Sequence, residues 1–466
     1  MTTQATEEAG HRRRLRIEDE PLLRGRGQFV ADVRPERLAA AAFVRSPHAA
    51  AHIRGIDAAA ARHMPGVLGV FTAADMAGLG NLSTPAPIPG RNGAKMIVPE
   101  WPPLAHERVL HVGQPVALVV AETAALAQDA AEAVLVDYDM LTPVIGVEAA
   151  AAADAPQVWP EAPGNLAVDW PGPNAGDGAN AREVERIIAA APKVARVRYS
   201  HQRIAAASLE PRAATAGFDA ASGEYTLRCG SQSVFAMRRQ LAGVLKLEPE
   251  ALRVLSSDVG GAFGMKVGAY PEYPALLVAA RRVGRPIHWS SSRSEAFLSD
   301  NQAREMITAA ELALDDDGKF LALRVTVLAD MGAFLTGAGP LAATVNLGLC
   351  LSSVYRIPRI SCDVKCVFTN TVPTGPYRGA GRPEANYLIE RLVEEATRVV
   401  GIDGVTLRRR NLITAAMMPY KTPLGPNYDS GDFSACLDTA LALADYAGFA
   451  ARRAQSAAAG KRRGLG

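Results

Sequence analysis

The sequence is poor in cysteine and has no long apolar run. Its 466 residues include five cysteines, an odd and scattered set that indicates reduced thiols in the cytoplasm rather than a disulfide framework. Cys362 and Cys366 lie four residues apart, but no second cysteine pair or histidine cluster completes a zinc or iron–sulfur site. We therefore expect two buried or strand-lying thiols. The lack of an apolar run of bilayer length predicts no membrane span.

The sequence also lacks an excess of either charge. It carries 50 basic and 48 acidic residues, a formal net charge of +2, which gives no reason to expect a nucleic-acid or membrane-surface partner. The arginines at 12–14 could begin a twin-arginine signal, but charged residues rather than an apolar segment follow them. We reject a signal peptide on that ground.

Alternating strand and helix patterns place the chain in the mixed α/β (α+β) class. At 466 residues it is long enough for about three domains. An apolar strand at 116–120 is followed by Thr123, a candidate N-cap, by an alanine-rich helix at 124–133 and by a strand at 134–138. This order is typical of an α/β unit. Residues 147–182, rich in Ala, Pro, Gly, Asn and Asp, have the composition of a linker.

Further along the chain, residues 315–318 (Asp-Asp-Asp-Gly) separate two strand-like runs and predict a hairpin. The spacing of these acidic residues does not suit an EF-hand calcium loop. A helix is expected over 384–399, followed by Gly401.

One glycine-rich stretch stands out, and we name residues 258–266 (DVGGAFGMK) the first glycine loop. Three glycines in five positions let the backbone turn sharply, and their N–H groups can face an anion or metal-bound oxygen and sulfur. We expect Phe263 to pack as a wedge or to line a pocket. The stretch has neither G-x-G-x-x-G nor a following G-K-S/T, so it does not fit the nucleotide fingerprints. A tight turn between two core elements is the alternative interpretation.

A second glycine loop covers residues 373–384 (PTGPYRGAGRPE) and leads into a helix whose start is set by Pro383 and Glu384. Its backbone N–H groups and Arg378 could hold phosphate or pterin oxygens. The alternative is a stiff helix-entry loop.

Two polar side chains complete the candidates. Gln232 stands at a strand end and could donate an amide hydrogen bond to a ligand, or it could cap the next helix. Glu210 precedes Pro211 and Arg212, and an ordinary salt bridge is the expected role for this glutamate.

Taken together, these stretches resemble the molybdenum hydroxylases, the family of xanthine dehydrogenase, aldehyde oxidase and carbon monoxide dehydrogenase. The resemblance runs from about Gly25 to the end and rests on stretches in the family's order and spacing, at 203–212, 231–232, 260–264, 377–383 and 407–411. It implies an α/β-hammerhead domain followed by a molybdopterin-binding domain. The implied boundaries are a flexible arm at 1–20, the hammerhead domain at 21–145, a linker at 146–182, the first molybdopterin-binding domain at 183–425 and a truncated start of a second at 426–466.

The resemblance also implies residue roles. Gln232 would hydrogen-bond a molybdenum oxo ligand, and Arg378 would act from the loop on the other side of the cofactor. Glu272 falls where some purine-oxidising members have a glutamate that orients substrate, although a structural role is equally consistent. Gln232, Glu272 and Arg378 are thus the catalytic candidates, and no side chain is expected to ligate the metal directly. The cofactor-binding candidates are Gln232, Gly260, Gly261, Ala262, Phe263, Gly264, Arg378, Gly379, Ala380 and Gly381.

The implied activity is hydroxylation of an aldehyde or an N-heteroaromatic compound with water as the oxygen source. The cofactor would be molybdenum–molybdopterin in its cytosine dinucleotide form. Electrons would leave to a [2Fe–2S] subunit and an FAD subunit, which are expected on partner chains because this chain has no cluster-binding cysteine set and no flavin motif.

Three departures from the family bear on the substrate and on activity. Gly379 stands where carbon monoxide dehydrogenases carry a copper-binding cysteine, and Ala380 stands where xanthine dehydrogenases stack a phenylalanine on the purine. The sequence printed here ends at 466, before the family's second half with its glutamate general base. We expect activity only with a second molybdopterin-binding half supplied by another chain. The alternatives are a non-catalytic truncated remnant and, third, a stand-alone module that binds a carboxylate or nucleotide.

Overall fold

The computed structural model describes residues 16–465, and within them the chain forms two compact units. The described part of the first unit comprises residues 16–82, 101–140 and 206–300, and that of the second comprises 83–100, 141–205 and 301–465. Each unit therefore combines separated segments, whereas the boundaries suggested by sequence are contiguous and stay a prediction. Most of the expected N-terminal arm, including the arginines at 12–14, lies outside the described residues.

The strands of the described chain range from 2 to 13 residues in length. In chain order they are β1 Ala39–Arg45, β2 Ala51–Asp57, β3 Val67–Phe71, β4 Arg108–Val109, β5 Pro115–Ala121, β6 Leu135–Met140, β7 Leu166–Trp170, β8 Lys193–Ala205, β9 Ala213–Phe218, β10 Tyr225–Cys229, β11 Leu252–Leu255, β12 Ile287–Ser290, β13 Gln302–Leu314, β14 Phe320–Gly332, β15 Ile360–Phe368, β16 Tyr420–Lys421 and β17 Asn427–Tyr428.

The helices connect these strands or follow them. In chain order they are α1 Asp19–Leu23, α2 Ala59–His63, α3 Ala124–Glu132, α4 Val147–Ala150, α5 Ala179–Ala190, α6 Val234–Leu245, α7 Glu272–Val283, α8 Arg293–Ser299, α9 Gly339–Leu341, α10 Leu347–Leu349, α11 Arg382–Val400, α12 Gly404–Asn411, α13 Phe433–Leu443 and α14 Phe449–Ala458. A π-helical turn, Ala342–Asn346, separates α9 from α10.

The first unit is built on a seven-stranded sheet with the order β11-β10-β9-β12-β1-β5-β3 and on a three-stranded sheet with the order β4-β2-β6. Strand β5 is buried along its whole length because it lies between β1 and β3 and consists entirely of apolar residues. Helix α3 follows, and Thr123 Oγ1 accepts the N–H of Leu126, which confirms the predicted cap. Strand β6 then joins β2 in the smaller sheet.

The second unit is built on a five-stranded sheet with the order β7-β15-β14-β13-β8. Strands β13 and β14 pair antiparallel across a turn in which Gly318 N donates to Asp315 O, so the predicted hairpin is confirmed. Cys362 and Cys366 are buried within β15, as expected. Strand β7 lies inside the stretch whose composition indicated a linker, and it forms the edge of this sheet beside β15.

Helix α11 contains the predicted helix at 384–399. It begins at Arg382 with Pro383 in its first turn and ends at Val400, and Gly401 follows with a φ of 71°, the left-handed conformation typical of a helix C-terminus. The helix packs on β8 and β13 and brings its N-terminus to the second glycine loop. None of the helices within residues 16–465 combines the length and apolarity that crossing a bilayer requires.

Candidate functional site

The first glycine loop follows β11 and has an unusual backbone. Gly261, Phe263 and Gly264 have φ values of 98°, 54° and 113°. Left-handed residues interspersed with ordinary ones turn successive N–H groups towards a common side, a geometry that suits anions and oxygen-rich ligands. The Phe263 ring lies beside Gly261, and the side chain remains 37% exposed, so within the first unit it is a surface residue of the loop rather than a buried wedge.

Gln232 is attached to this loop by two hydrogen bonds. Its Oε1 accepts the N–H of Gly264 at 2.9 Å, and its own N–H donates to Lys266 O at 3.0 Å. The helix-cap interpretation of Gln232 is wrong, because Ser233 Oγ caps α6 by accepting the N–H of Ala236. With Oε1 engaged, the group that Gln232 can offer to a ligand is the Nε2 amide, a donor.

Glu210 fixes the other end of the same loop. Its Oε2 accepts the N–H of Gly260 at 2.8 Å and lies 2.8 Å from Lys266 Nζ, which also donates to Glu210 O at 3.0 Å. The Lys266 side chain is 1% exposed and that of Glu210 is 15% exposed. The salt bridge expected for Glu210 is therefore confirmed, with a partner that no local pattern had indicated.

These bonds decide which loop N–H groups remain for a ligand. Those of Gly260 and Gly264 are taken by Glu210 and Gln232. The N–H groups of Gly261 and Ala262 make no hydrogen bond to any other group within residues 16–465. A backbone donor in such a position needs a partner from solvent or from a bound molecule.

Glu272 lies at the start of α7 and is buried. Its Oε2 accepts from Arg212 Nη1 at 2.7 Å, and its Oε1 accepts from Arg212 Nη2 at 3.1 Å and from Arg45 Nη2 at 2.7 Å. Arg212 also donates to Asp300 and lies over the Tyr270 ring. Burial alone would raise the pKa of Glu272, but the two guanidinium groups outweigh it and lower the pKa to about 2. This geometry favours the structural role that the sequence left open.

The second glycine loop belongs to the second unit. Gly379, Ala380 and Gly381 have φ values of 93°, 43° and 94°, and Ala380 N donates to Tyr377 O at 2.7 Å. A Cβ on Gly381 would lie 2.1 Å from Ala342 O, the first carbonyl of the π-helical turn. Only glycine therefore fits there, and the sequence had not indicated this neighbour. π-Helical turns are frequent at functional sites.

Arg304 and Glu384 hold this second loop. Glu384 Oε2 accepts the N–H of Gly381 at 3.0 Å, and Arg304 Nη1 lies 2.5 Å from Glu384 Oε1. Arg304 Nη2 donates to Arg378 O at 3.1 Å, and its guanidinium lies 5.3 Å from the Tyr377 ring centroid. The side chain of Arg304 starts from a left-handed backbone, with φ of 71°. The sequence interpretation missed Arg304, which lies in a strand without any local signal.

The structure thus brings Gln232 together with Gly260–Gly264 in the first unit and places Arg378–Gly381 in the second. Within residues 16–465, no three His, Cys, Asp or Glu side chains are grouped so that they could hold a metal ion. The first loop offers the main-chain N–H groups of Gly261 and Ala262 beside the Gln232 amide, and the second loop offers the exposed guanidinium of Arg378. Such donors bind an oxygen-rich or anionic ligand.

Comparisons with known proteins agree with this picture. A sequence model of the molybdopterin cofactor-binding domain matches residues 159–412, and one of the α/β-hammerhead domain of aldehyde oxidase and xanthine dehydrogenase matches residues 24–142. The predicted fold class and family resemblance are confirmed by these matches.

Individual relatives are similar over nearly the whole chain. The carbon monoxide dehydrogenase large chain of Hydrogenophaga pseudoflava is 35% identical over 94% of this chain and 54% of its own length. Subunit gamma of the 6-hydroxypseudooxynicotine dehydrogenase complex of Paenarthrobacter nicotinovorans is 32% identical over 97% of this chain and 56% of its own. The crystal structure of quinoline 2-oxidoreductase from Pseudomonas putida 86 superposes with a TM-score of 0.88 at 30% identity, covering 96% of this chain and 55% of that one. The chain spans about half the length of these relatives.

Proposed function

The chain belongs to the molybdopterin-binding proteins of the xanthine dehydrogenase and aldehyde oxidase family, and we propose that it forms the cofactor-binding part of a molybdenum hydroxylase. The substrate is an aldehyde or an N-heteroaromatic compound, water is the oxygen source, and electrons pass to [2Fe–2S] and FAD partner chains. The observation that carries this proposal is the first glycine loop, with Gln232 bonded to Gly264 and the N–H groups of Gly261 and Ala262 left for a ligand.

The residues present fit a molybdenum–molybdopterin cofactor. A Cβ on Gly260 would lie 2.4 Å from Glu210 Cβ, so the loop backbone packs directly against Glu210, and the N–H groups of Gly261 and Ala262 remain as donors for a ligand. When bound, the cofactor supplies oxygen transfer from water and takes up the electron pair of the substrate. The cytosine dinucleotide form is part of this proposal.

Three groups of this chain would act on the bound cofactor. The Gln232 Nε2 amide, whose Oε1 is held by Gly264 N, would donate a hydrogen bond to an oxygen of the cofactor. The N–H groups of Gly261 and Ala262 hold the pterin side of the group. Arg378, whose side chain is exposed, pairs with an anionic oxygen of the pterin or its phosphate. Glu272 supports the fold through Arg212 and Arg45 instead of contacting the substrate.

The second loop supports a substrate other than carbon monoxide or a purine. A Cβ on Gly379 would lie 2.3 Å from Pro383 Cγ, so a cysteine that binds copper could not stand there without moving the helix start. Ala380 offers no aromatic face for a purine. Two of the relatives are named for 6-hydroxypseudooxynicotine and quinoline, and an N-heteroaromatic ring is therefore our first choice among substrates.

A second molybdopterin-binding half completes the active site in this proposal. The relatives are about twice as long as the segment matched here, and the glutamate general base belongs to the part of the family's sequence outside that segment. This half contributes the base, and the iron–sulfur and flavin chains complete the electron path.

The test is cofactor binding by the full chain, expressed alone and together with a second half from a relative. Molybdenum is measured by mass spectrometry of the purified protein and the pterin by its fluorescence after oxidation. We expect close to one molybdenum per chain in the complex and strong loss in Gly261→Ala, since residue 261 has φ of 98° and a Cβ there meets Ser208 and Phe263.

Gly243→Ala is the matched control, because a Cβ at Gly243 meets nothing within 4 Å. A well-folded chain that binds no molybdenum in any pairing, or an equal loss in both variants, would refute the proposed function.

A further inference from the structure

Each glycine loop is held by a glutamate that is paired with a cation of low exposure. In the first unit, Glu210 Oε2 accepts the N–H of Gly260 and lies 2.8 Å from Lys266 Nζ. The ammonium also donates to the carbonyl of Glu210, so it holds both the side chain and the backbone of that residue.

The second unit repeats the arrangement with different residues. Glu384 Oε2 accepts the N–H of Gly381, while Arg304 Nη1 lies 2.5 Å from the other carboxylate oxygen. Arg304 Nη2 donates to the carbonyl of Arg378, so the cation again holds a backbone group as well as the glutamate. Neither pair lies on the surface, because the Lys266 and Arg304 side chains are only 1% and 13% exposed.

The cation is needed for the glutamate to hold the loop. A carboxylate removed from water is costly without a counter-charge, and it would take up a proton or turn towards solvent. Either change weakens its bond to the glycine N–H, since an ionised acceptor makes the stronger hydrogen bond. Each cation therefore keeps charged the glutamate that binds a glycine N–H of its loop.

We propose that Lys266 and Arg304 are positioning residues, which fix Glu210 and Glu384 so that the two glycine loops hold their ligand-binding shape before any cofactor arrives. This inference rests on the proposed function for the identity of the ligand. A loop that is already ordered loses less conformational entropy on binding, so the pairs act on how tightly the cofactor is retained.

The experiment measures hydrogen exchange of the Gly260 and Gly381 amides in the full chain without cofactor. Lys266→Met should speed exchange at Gly260 at least about tenfold, and Arg304→Met should do the same at Gly381, because the loop then opens locally. Amides of β5 should exchange as in the parent. In cofactor-loaded protein, molybdenum should be lost at least about tenfold faster on repeated buffer exchange.

Double variants test whether the cation positions the glutamate or only neutralises its charge. Lys266→Met with Glu210→Gln, and Arg304→Met with Glu384→Gln, leave no unpaired charge and should restore the melting temperature. The glutamine at position 210 or 384 keeps an acceptor oxygen, but no cation holds its side chain in place. Protection of the Gly260 or Gly381 amide from exchange, and retention of molybdenum, should therefore stay low. The matched control is Arg408→Met with Glu390→Gln, a partly buried pair on α11 and α12 that touches neither loop.

Unchanged exchange in the single variants would overturn the proposal, as would protection that returns together with the melting temperature in the double variants. If the parent binds no molybdenum, the proposed function fails while the exchange measurement still decides the roles of Lys266 and Arg304.

Discussion

Glu210 and Gly260 are in contact through both a hydrogen bond and their close packing: Gly260 N donates to Glu210 Oε2 at 2.8 Å, and a Cβ on Gly260 would lie 2.4 Å from Glu210 Cβ. Glu210 N in turn donates to Gly260 O at 3.0 Å. The start of the first glycine loop is therefore bound to a segment 50 residues earlier in the chain. Any side chain at position 260 must displace that segment.

The first prediction follows from this contact. Gly260→Ala should destabilise the protein by about 1–3 kcal/mol, because the added methyl group overlaps Glu210 and forces the backbone apart. Gly243→Ala, in the last turn of α6 with no atom near the new Cβ, should instead stabilise the protein by about 0.4–1 kcal/mol. Urea unfolding at neutral pH measures both. Equal effects of the two substitutions would contradict the close approach.

The second prediction tests the Oε1 acceptor and the Nε2 donor of Gln232 independently. Gln232→Glu keeps an acceptor for the N–H of Gly264 but removes the donor, so the folded protein should keep its stability. Turnover per bound molybdenum should fall about 10- to 100-fold, which corresponds to the loss of one hydrogen bond of about 1.5–3 kcal/mol.

Gln232→Ala removes both the Oε1 acceptor and the Nε2 donor, and it should also speed amide exchange at Gly264. A Gln232→Glu variant with full turnover per molybdenum would show that the donor contacts nothing in the reaction.

The third prediction concerns Glu272 as a structural residue. Glu272→Gln leaves Arg212 and Arg45 without their shared buried carboxylate and should cost about 3–5 kcal/mol in the free energy of unfolding at pH 7. A residue that only orients substrate would instead lower turnover at unchanged stability. Urea unfolding and turnover per molybdenum, measured side by side, distinguish the two.

The pH dependence of the parent checks the same point. The folded pKa of Glu272 is about 2, below its ordinary value of 4.5. A depressed carboxyl pKa stabilises the folded state above pH 4.5, and this contribution is lost as the pH falls towards 2. The stability difference between parent and Glu272→Gln should therefore shrink over that acid range. A constant difference would contradict an ionised Glu272.

The fourth prediction concerns Asp330, which lies on β14 in the second unit. Its pKa is raised, whereas that of Glu272 is lowered, so its effect on stability changes with pH in the opposite direction. Burial raises its pKa from 3.8 to about 6, although the charge of Arg203 opposes this, and nearby Glu305 adds to it. A raised carboxyl pKa favours folding below pH 3.8, and that contribution is lost as the pH rises through 6. The difference between the unfolded and folded pKa values of Asp330 corresponds to about 3 kcal/mol in the free energy of unfolding.

Asp330→Asn keeps the Oδ1 acceptor for Gly332 N and Thr369 Oγ1. Relative to the parent, this variant should become more stable as the pH rises from about 4 to about 7, by up to about 3 kcal/mol. Urea midpoints at several pH values measure the change. A pH-independent difference between parent and variant would show that Asp330 does not titrate in this range.

The amino-acid sequence by itself determined the local structure and the chemical character of the loops. The apolar run of β5, the Thr123 cap of α3, the Asp-Gly hairpin and the ends of α11 all depend on neighbours within one or two turns of chain. Local periodicity, caps and turn residues specify such features, and they were predicted correctly. The two glycine loops were recognised for the same reason, because a dense run of glycines is visible without any partner.

Only the tertiary structure decided which residues support those loops. The linker-like composition of residues 147–182 did not predict strand β7, whose pairing with β15 joins residues about 200 positions apart. The sequence also did not indicate that β6 would pair with β2 rather than with β5. Arg45 meets Glu272 across 227 positions, and Arg304 reaches Arg378 across 74. Long-range contacts of charged side chains leave no periodic trace in one sequence, because the energy of a charge depends on the partner that folding places beside it and on how much water folding removes.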